Sequence, residues 1–269
     1  MSKSKWRLLN TGCNPGAYNM AVDEKLLHQV ITGDSLPIIR FYSWAPAAIS
    51  LGYFQKPEEV LDLAGCRDRN IDVVKRITGG RAVLHHYEVT YSIIASENET
   101  LVSGSIIQSY LKISKALLRG LRSLSIPAEL VPHGGKKKGL TTACFDAPSW
   151  YELTISGKKL AGSAQTRKQG ALLQHGSILL DLDINELADT MKFSGPQAKD
   201  RFKRMMADRA CAINQIMPRQ FTVQEVTKAL TNGFIDEWQI NAVPDKLTKK
   251  ENRLIAGRMN KAKGKAVFS

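Results

Sequence analysis

Hydrophobic residues recur along this 269-residue chain in two distinct rhythms. In GAYNMAVDEKLLHQVI, residues 16 to 31, Ala17, Met20, Leu27 and Ile31 fall near one stripe and predict an amphipathic helix, entered through Asn14, Pro15 and Gly16. A longer helix is predicted from Ser105 to Leu121, where Ile106, Tyr110, Ile113, Leu117 and Leu121 return every three or four residues. KPEEVLDLAGCRDRN reads as one helix, acidic in its first turn and basic at its end, as the helix dipole favours. Shorter apolar or alternating runs predict strands: WRLLNTG, PIIRFYSW, AAISLGYF, IDVVKRI, RAVLHH, VTYSIIAS, PAELVP and ALLQHGSILLDL. YELTISGKKLAGSAQ predicts a hairpin turned at Ser156 and Gly157, with a second arm weakened by Gly162 and two alanines. Beyond Asn185 the rhythm turns helical through NELADTMK, AKDRFKRMM, VQEVTKALTNGFIDEW and a last basic helix.

Strands with a few interposed helices come first, and helices gather at the end. This order predicts an α+β fold, with helices packed on one face of a mostly antiparallel or mixed sheet. The expected division is a strand-rich domain over 1–183 and a helical C-terminal appendage over 184–269, packed on the same domain. No internal repeat or low-complexity tract interrupts it.

Composition narrows the class. Hydrophobic residues make up 43% and charged residues 23%, ordinary values for a soluble globular chain long enough to need no staple. No apolar run approaches the roughly 18 residues of a membrane span, and MSKSKWRLLNTG lacks the apolar core of a signal peptide. A cytoplasmic protein without a membrane partner is expected. The four cysteines, Cys13, Cys66, Cys144 and Cys211, form no CxxC pair, and the five histidines form no HxxxH pattern, so neither metal nor other cofactor is expected.

Charge points to a partner. A net +13 and a pI near 9.6 favour something acidic: nucleic acid, a membrane surface or an acidic protein. Lysines 136 to 138 form one cluster. Lys246, Lys249, Lys250, Arg253, Arg258, Lys261, Lys263 and Lys265 form another, against the single acid Glu251. A solvated face explains either cluster equally well. The tail has no aromatic residue before Phe268, which fits poorly with a stacking platform for single-stranded nucleic acid.

Two stretches carry candidate chemistry. In KRITGGRAVLHH a strand ends at Gly79 and Gly80, where the backbone can pass close to a ligand; Arg76, Arg81 and His85 would line that approach. An ordinary hairpin turn accounts for the glycine pair as well. In TTACFDAPSWYELTISGKKLAGSAQ, Cys144 sits in a loop of small and polar residues, and Lys159 follows 15 residues later at the predicted hairpin tip. A cysteine acts as a nucleophile only as thiolate, which a nearby ammonium favours. A structural salt bridge is the plainer role for Lys159.

TGGRAVLHH, CFDAPSWYEL, GKKLAGSAQTR and QHGSILLD together resemble the lipoate and octanoate attachment enzymes of the biotin/lipoyl protein ligase fold. NMAVDEKLL and RFYSWAPAAISLGYFQ fit as well, so the resemblance runs in order over residues 6 to 183 and fades beyond. The chain looks closest to the octanoyl-[acyl-carrier-protein]:protein N-octanoyltransferases of the ligase-like type. That resemblance implies an acyltransferase domain over 1–183, Cys144 as the acyl-accepting nucleophile and Lys159 as the family's lysine. ATP-dependent lipoate ligases share the lysine but usually carry three glycines where this chain has Gly79, Gly80 and Arg81. A lipoyl amidotransferase working through a cysteine thioester is a further alternative. His86 stands where family members commonly have aspartate, so no role for that carboxylate carries over.

The implied reaction moves octanoyl from octanoyl-acyl carrier protein to a lysine of a lipoyl-domain acceptor such as glycine cleavage H protein, without ATP. Gly79 and Gly80 would floor an apolar acyl tunnel, with Val83 and Leu173 as neighbours. The basic surface would speed encounter with an acidic carrier.

Overall fold

A computed structural model describes residues 3–132 and 151–263. Cys144, His133 and Lys136, Lys137 and Lys138 lie outside the described residues. The chain runs β1 (Lys5–Asn14), α1 (Gly16–Ile31), β2 (Ile38–Trp44), β3 (Ala48–Leu51), α2 (Pro57–Val60), α3 (Leu63–Asp68), β4 (Asp72–Lys75), β5 (Val83–His85), β6 (Glu88–Ser96), α4 (Ile106–Ser123) and β7 (Glu129–Pro132). It continues with β8 (Tyr151–Ile155), β9 (Lys158–Lys159), β10 (Ala161–Lys168), β11 (Ala171–Leu179), α5 (Ile184–Thr190), α6 (Pro196–Arg209), α7 (Ile213–Ile216), α8 (Val223–Trp238), β12 (Asn241–Asp245) and α9 (Lys249–Lys263).

The main sheet has the order β10-β11-β6-β2-β1-β12. It is antiparallel from β10 to β2 and parallel from β2 to β12, a mixed sheet in an α+β fold. Two small sheets, β4-β3-β5 and β7-β8-β9, flank it. β11 is buried along its whole length and β6 along all but its last residue, which requires cover on both faces. Helices α4 and α8 supply one cover, through a core that joins Phe41, Tyr91 and Ile93 to Ile113, Leu230 and Phe234. Helices α1 and α9 supply the other, packing Val22, Leu26 and Ile255 against Leu9, Ile38 and Leu173. The expectation of helices on one face is therefore corrected.

Local chemistry explains the boundaries. Ser105 caps α4 in a reciprocal box with Gln108, and Thr222 caps α8 in the same way with Glu225. The run predicted as one helix from Lys56 breaks at Leu61, which bridges Met191, while Asp62 caps α3 by accepting from the Ala64 and Gly65 amides. The hairpin does turn at Ser156 and Gly157, both with positive φ. Its second arm divides: Lys158 and Lys159 pair with β8, and after Leu160 the chain crosses to the main sheet as β10. β12 was not expected, because NAVPD is largely exposed and contains Pro244.

Where α4 crosses α8, glycine lets two backbones meet. A Cβ on Gly233 would stand 2.5 Å from the Ala116 carbonyl oxygen and 2.5 Å from the Gly120 nitrogen. Gly233→Ala should lower stability by about 1–3 kcal/mol, read as a fall in urea midpoint. Gly257→Ala, where a Cβ meets nothing within 4 Å, should cause no comparable fall. An unchanged midpoint in Gly233→Ala would mean that the helices part at little cost.

Candidate functional site

A polar seam runs between the main sheet and the helix α1 side. Asp23 of α1 is buried and accepts from Arg40 Nη1 (2.5 Å), Ser92 Oγ (2.8 Å), Tyr42 OH (3.1 Å) and His175 Nδ1 (3.1 Å). Burial alone would push the Asp23 carboxyl up. The Arg40 charge and the bonds from His175 and Ser92 outweigh it and hold the group below its ordinary value. Burial pushes His175 down, toward the neutral ring. Its tautomer follows from its neighbours. Arg76 Nε donates to Thr78 Oγ1, so the Thr78 hydroxyl is free to donate to His175 Nε2 at 2.7 Å. His175 Nδ1–H then faces Asp23.

Arg76 is the clamp of the glycine-bearing loop. Its Nη2 donates to the carbonyls of Gly79 (2.9 Å) and Arg81 (2.7 Å), and its Nη1 to Ser50 O (2.6 Å) and Ser50 Oγ (3.0 Å). Gly80 has φ +94°, and its carbonyl oxygen stands 2.0 Å from where a Cβ on Gly52 would be, so both positions require glycine. His85 contacts Ser50 Oγ through Nε2 and Glu88 Oε1 through Nδ1, each at 2.7 Å, and stacks on Trp44 with 4.1 Å between ring centroids. Glu88 Oε1 also accepts from Ser177 Oγ (2.7 Å) and Thr90 Oγ1 (2.5 Å), while its buried Oε2 has no hydrogen-bond partner among the described residues.

These side chains enclose a cavity of about 30 Å³, with Arg76 and His85 on one wall, Met20, Tyr42 and Trp44 on another, and Gly162, Ala164 and Gly176 along β10 and β11. Val83 lines it as expected. Leu173 does not, since it points into the α1 core. Gly79 faces away, into an open groove of about 480 Å³ floored by Leu27, Ile31 and Ile77 and walled by the exposed Tyr53 and Phe54.

Of the residues singled out from sequence, Arg76 and His85 meet at the cavity, and Gly79, Gly80 and Arg81 form the loop that Arg76 grips. Lys159 is not among the cavity's lining residues. It is 5% exposed on β9, where its Nζ meets Glu152 Oε1 at 3.1 Å and its carbonyl accepts from the Cys211 amide at 3.0 Å. His86 lies just beyond β5, stacked on Tyr87 and bonded to Glu186 Oε2 at 2.9 Å. Among the described residues no cluster of three or more metal-ligating side chains occurs. Sequence reasoning missed Asp23, Arg40, Ser50 and Glu88. A charged residue within an otherwise apolar strand, as in PIIRFYSW, is the signal that marks Arg40.

A family model described as the lipoyl protein ligase A/B catalytic domain matches residues 15–235, and the chain belongs to that family. Octanoyltransferase LipM of Carboxydothermus hydrogenoformans is 43% identical over 249 residues, covering 93% of this chain and 92% of that protein. The protein of the same name from Moorella thermoacetica is 42% identical, over 98% and 96%, and that of Bacillus subtilis 40%, over 93% and 92%. The fold is also that of a bipartite lipoate protein ligase from Thermoplasma acidophilum (TM-score 0.80, 24% identity, 97% of this chain and 94% of that one). A lipoate-protein ligase A bound with ATP shares it too (TM-score 0.75, 24% identity, 97% and 96%).

The seam makes the fold acid-sensitive with a definite sign. His175 has a folded pKa below its ordinary value, so the unfolded chain binds the proton first as pH falls through about 6.5, and stability falls with it. Asp23, held low, contributes stability at neutral pH that is lost only at much more acid pH. Between about pH 7.5 and about pH 5.5 the urea midpoint of the wild type should drop, and that slope should shrink in His175→Gln. Equal slopes would assign the acid sensitivity to another group.

Proposed function

We propose that the chain accepts octanoyl from an acyl carrier protein, holds it as a thioester on Cys144, and delivers it to a lysine of a lipoyl-type domain such as glycine cleavage H protein. The chain is an acyltransferase of protein lipoylation, and its octanoyltransferase relatives, matched over more than nine tenths of both chains, carry that conclusion. A cytoplasmic setting goes with the proposal.

In the first half-reaction the Cys144 thiolate attacks the thioester carbonyl, and the carrier's thiolate leaves. In the second, the neutral amine of the acceptor lysine attacks the Cys144 thioester. The amide forms, the sulfur leaves as thiolate and the amine gives up a proton. A thioester lies above an amide in energy, so ATP is not consumed. Dividing the transfer spares the enzyme from binding two protein substrates at once. Lys159 has two tasks in this scheme: its ammonium stabilises the thiolate and the oxyanion, and it relays the amine proton. The ion pair with Glu152 fixes where the ammonium stands on β9.

Arg76, Gly79, Gly80, Arg81 and His85 are the proposed acyl-binding residues. A cavity of about 30 Å³ has room for about one water, so an eight-carbon chain enters only as the walls part.

Intact mass spectrometry with octanoyl-carrier protein, without ATP or magnesium, tests the scheme. An octanoyl adduct is expected on the wild type and on Cys13→Ala, Cys66→Ala and Cys211→Ala, and none on Cys144→Ala. A persistent adduct on Cys144→Ala would sink the thioester assignment. Modification of the acceptor only from free octanoate and ATP would make the chain a ligase. Lys159→Ala should acylate but then release octanoyl to the acceptor on the order of a hundredfold more slowly. Lys159→Arg should share that defect, since guanidinium stays protonated. Full activity in both variants would leave Lys159 a structural residue.

A further inference from the structure

Glu88 is a costly residue where it stands. It is 1% exposed, three donors converge on one carboxylate oxygen, and the other oxygen is buried without a hydrogen-bond partner among the described residues. A buried acceptor left unmatched carries a desolvation cost, which a fold does not need merely to join two strands. The bonds that leave Glu88 lead to the loop of the acyl site. Glu88 Oε1 meets His85 Nδ1, His85 Nε2 meets Ser50 Oγ, and Ser50 Oγ accepts from Arg76 Nη1. Arg76 Nη2 in turn holds the carbonyls of Gly79 and Arg81.

The direction of each bond is fixed by its neighbours. Glu88 as carboxylate can only accept, so His85 carries its proton on Nδ1 and offers a lone pair at Nε2. Ser50 must then donate to His85, which turns the oxygen lone pairs of Ser50 toward the Arg76 guanidinium, a group that only donates. A His85 with its proton on Nε2 would instead compete with Arg76 for the Ser50 oxygen. The proton position on His85 thus decides how firmly Arg76 is seated. Trp44, stacked on the ring and tied through Thr90 to the same carboxylate oxygen, keeps His85 in plane.

We infer that Glu88 and Ser50 are positioning residues for acyl transfer: Glu88 sets the His85 tautomer, and through Ser50 that tautomer fixes Arg76 and the Gly79–Arg81 loop against the acyl group. Glu88 is not among the cavity's lining residues, and Ser50 lines it beside Arg76. The inference rests on the acyl-binding role proposed above for that loop.

Glu88→Gln keeps the shape but removes the carboxylate, and Ser50→Ala cuts the next link. Each should lower kcat for octanoyl transfer on the order of tenfold with KM for the carrier protein little changed. Because both act through one chain, Glu88→Gln/Ser50→Ala should be no slower than Ser50→Ala alone, and Ser50→Thr should restore most of the rate. Nitrogen NMR of the histidine side chains should show His85 protonated at Nδ1 in the wild type and in Ser50→Ala, and a mixed tautomer in Glu88→Gln. Amide exchange of Gly79 and Gly80 should quicken in both single variants at unchanged urea midpoint. Additive losses in the double variant, or loop exchange equal to wild type, would overturn the inference. If the wild type transfers no octanoyl, the proposed function fails instead, and the tautomer and exchange readings still judge the chain of bonds.

Discussion

The carboxylate of Asp23 is where four elements are made to agree. A buried charge is tolerated only when it is paired and its lone pairs are used, and here Arg40 and Tyr42 come from β2, Ser92 from β6 and His175 from β11. Helix α1 can therefore seat on the main sheet in one register and rotation only. The constraint does not stop at the sheet. His175 passes it to Thr78, and Thr78 to Arg76, so the glycine loop is referenced to the same anchor as the helix on the far side of the cavity.

The sheet has one face given to cohesion and one to recognition. On the α4 and α8 side, aromatic packing dominates, with Trp6 and Phe234 each about 5 Å from Trp238 between ring centroids. On the other side the same strands turn Arg40, Thr90, Ser92, His175 and Ser177 inward, which an apolar core would reject unless every group found a partner. The strand period of two performs the sorting. The adjacent histidines part where β5 ends: His85, its last residue, joins the seam, and His86, beyond it, bonds to Glu186 and is not among the cavity's lining residues.

Much of this was legible in the residues. Periodicity set α1 at its observed limits and α4 to within two residues at its end. Ser156 and Gly157 marked a turn because few other pairs accept two positive φ values in succession. What escaped was decided by distant partners. Leu61 leaves the helical path to meet Met191, and NAVPD becomes a strand because β1 offers it an edge. Arg76, Gly79, Gly80, Arg81 and His85 could be named from one motif, yet Ser50 and Glu88, which join them, sit in other strands and have no local signature. The relation of Lys159 to Cys144 stays a reading of sequence, since the cysteine lies outside the described residues.

Strand β1 is made long before its sheet partner β12. Its outer edge is filled by β12, with Lys5 beside Asn241 and Leu9 beside Asp245, and Arg7 bonds to both Asp245 and Glu251. During synthesis on the ribosome that edge must wait for more than two hundred residues to emerge, with its backbone amides and carbonyls unpaired in the interval. Contacts so far apart in sequence form late, because closing so long a loop costs entropy before it returns any energy. The N-terminal strand is therefore the segment most in need of protection in a nascent chain. The short C-terminal strand, ending in Pro244 and Asp245, completes the sheet and offers little for a further chain to add to.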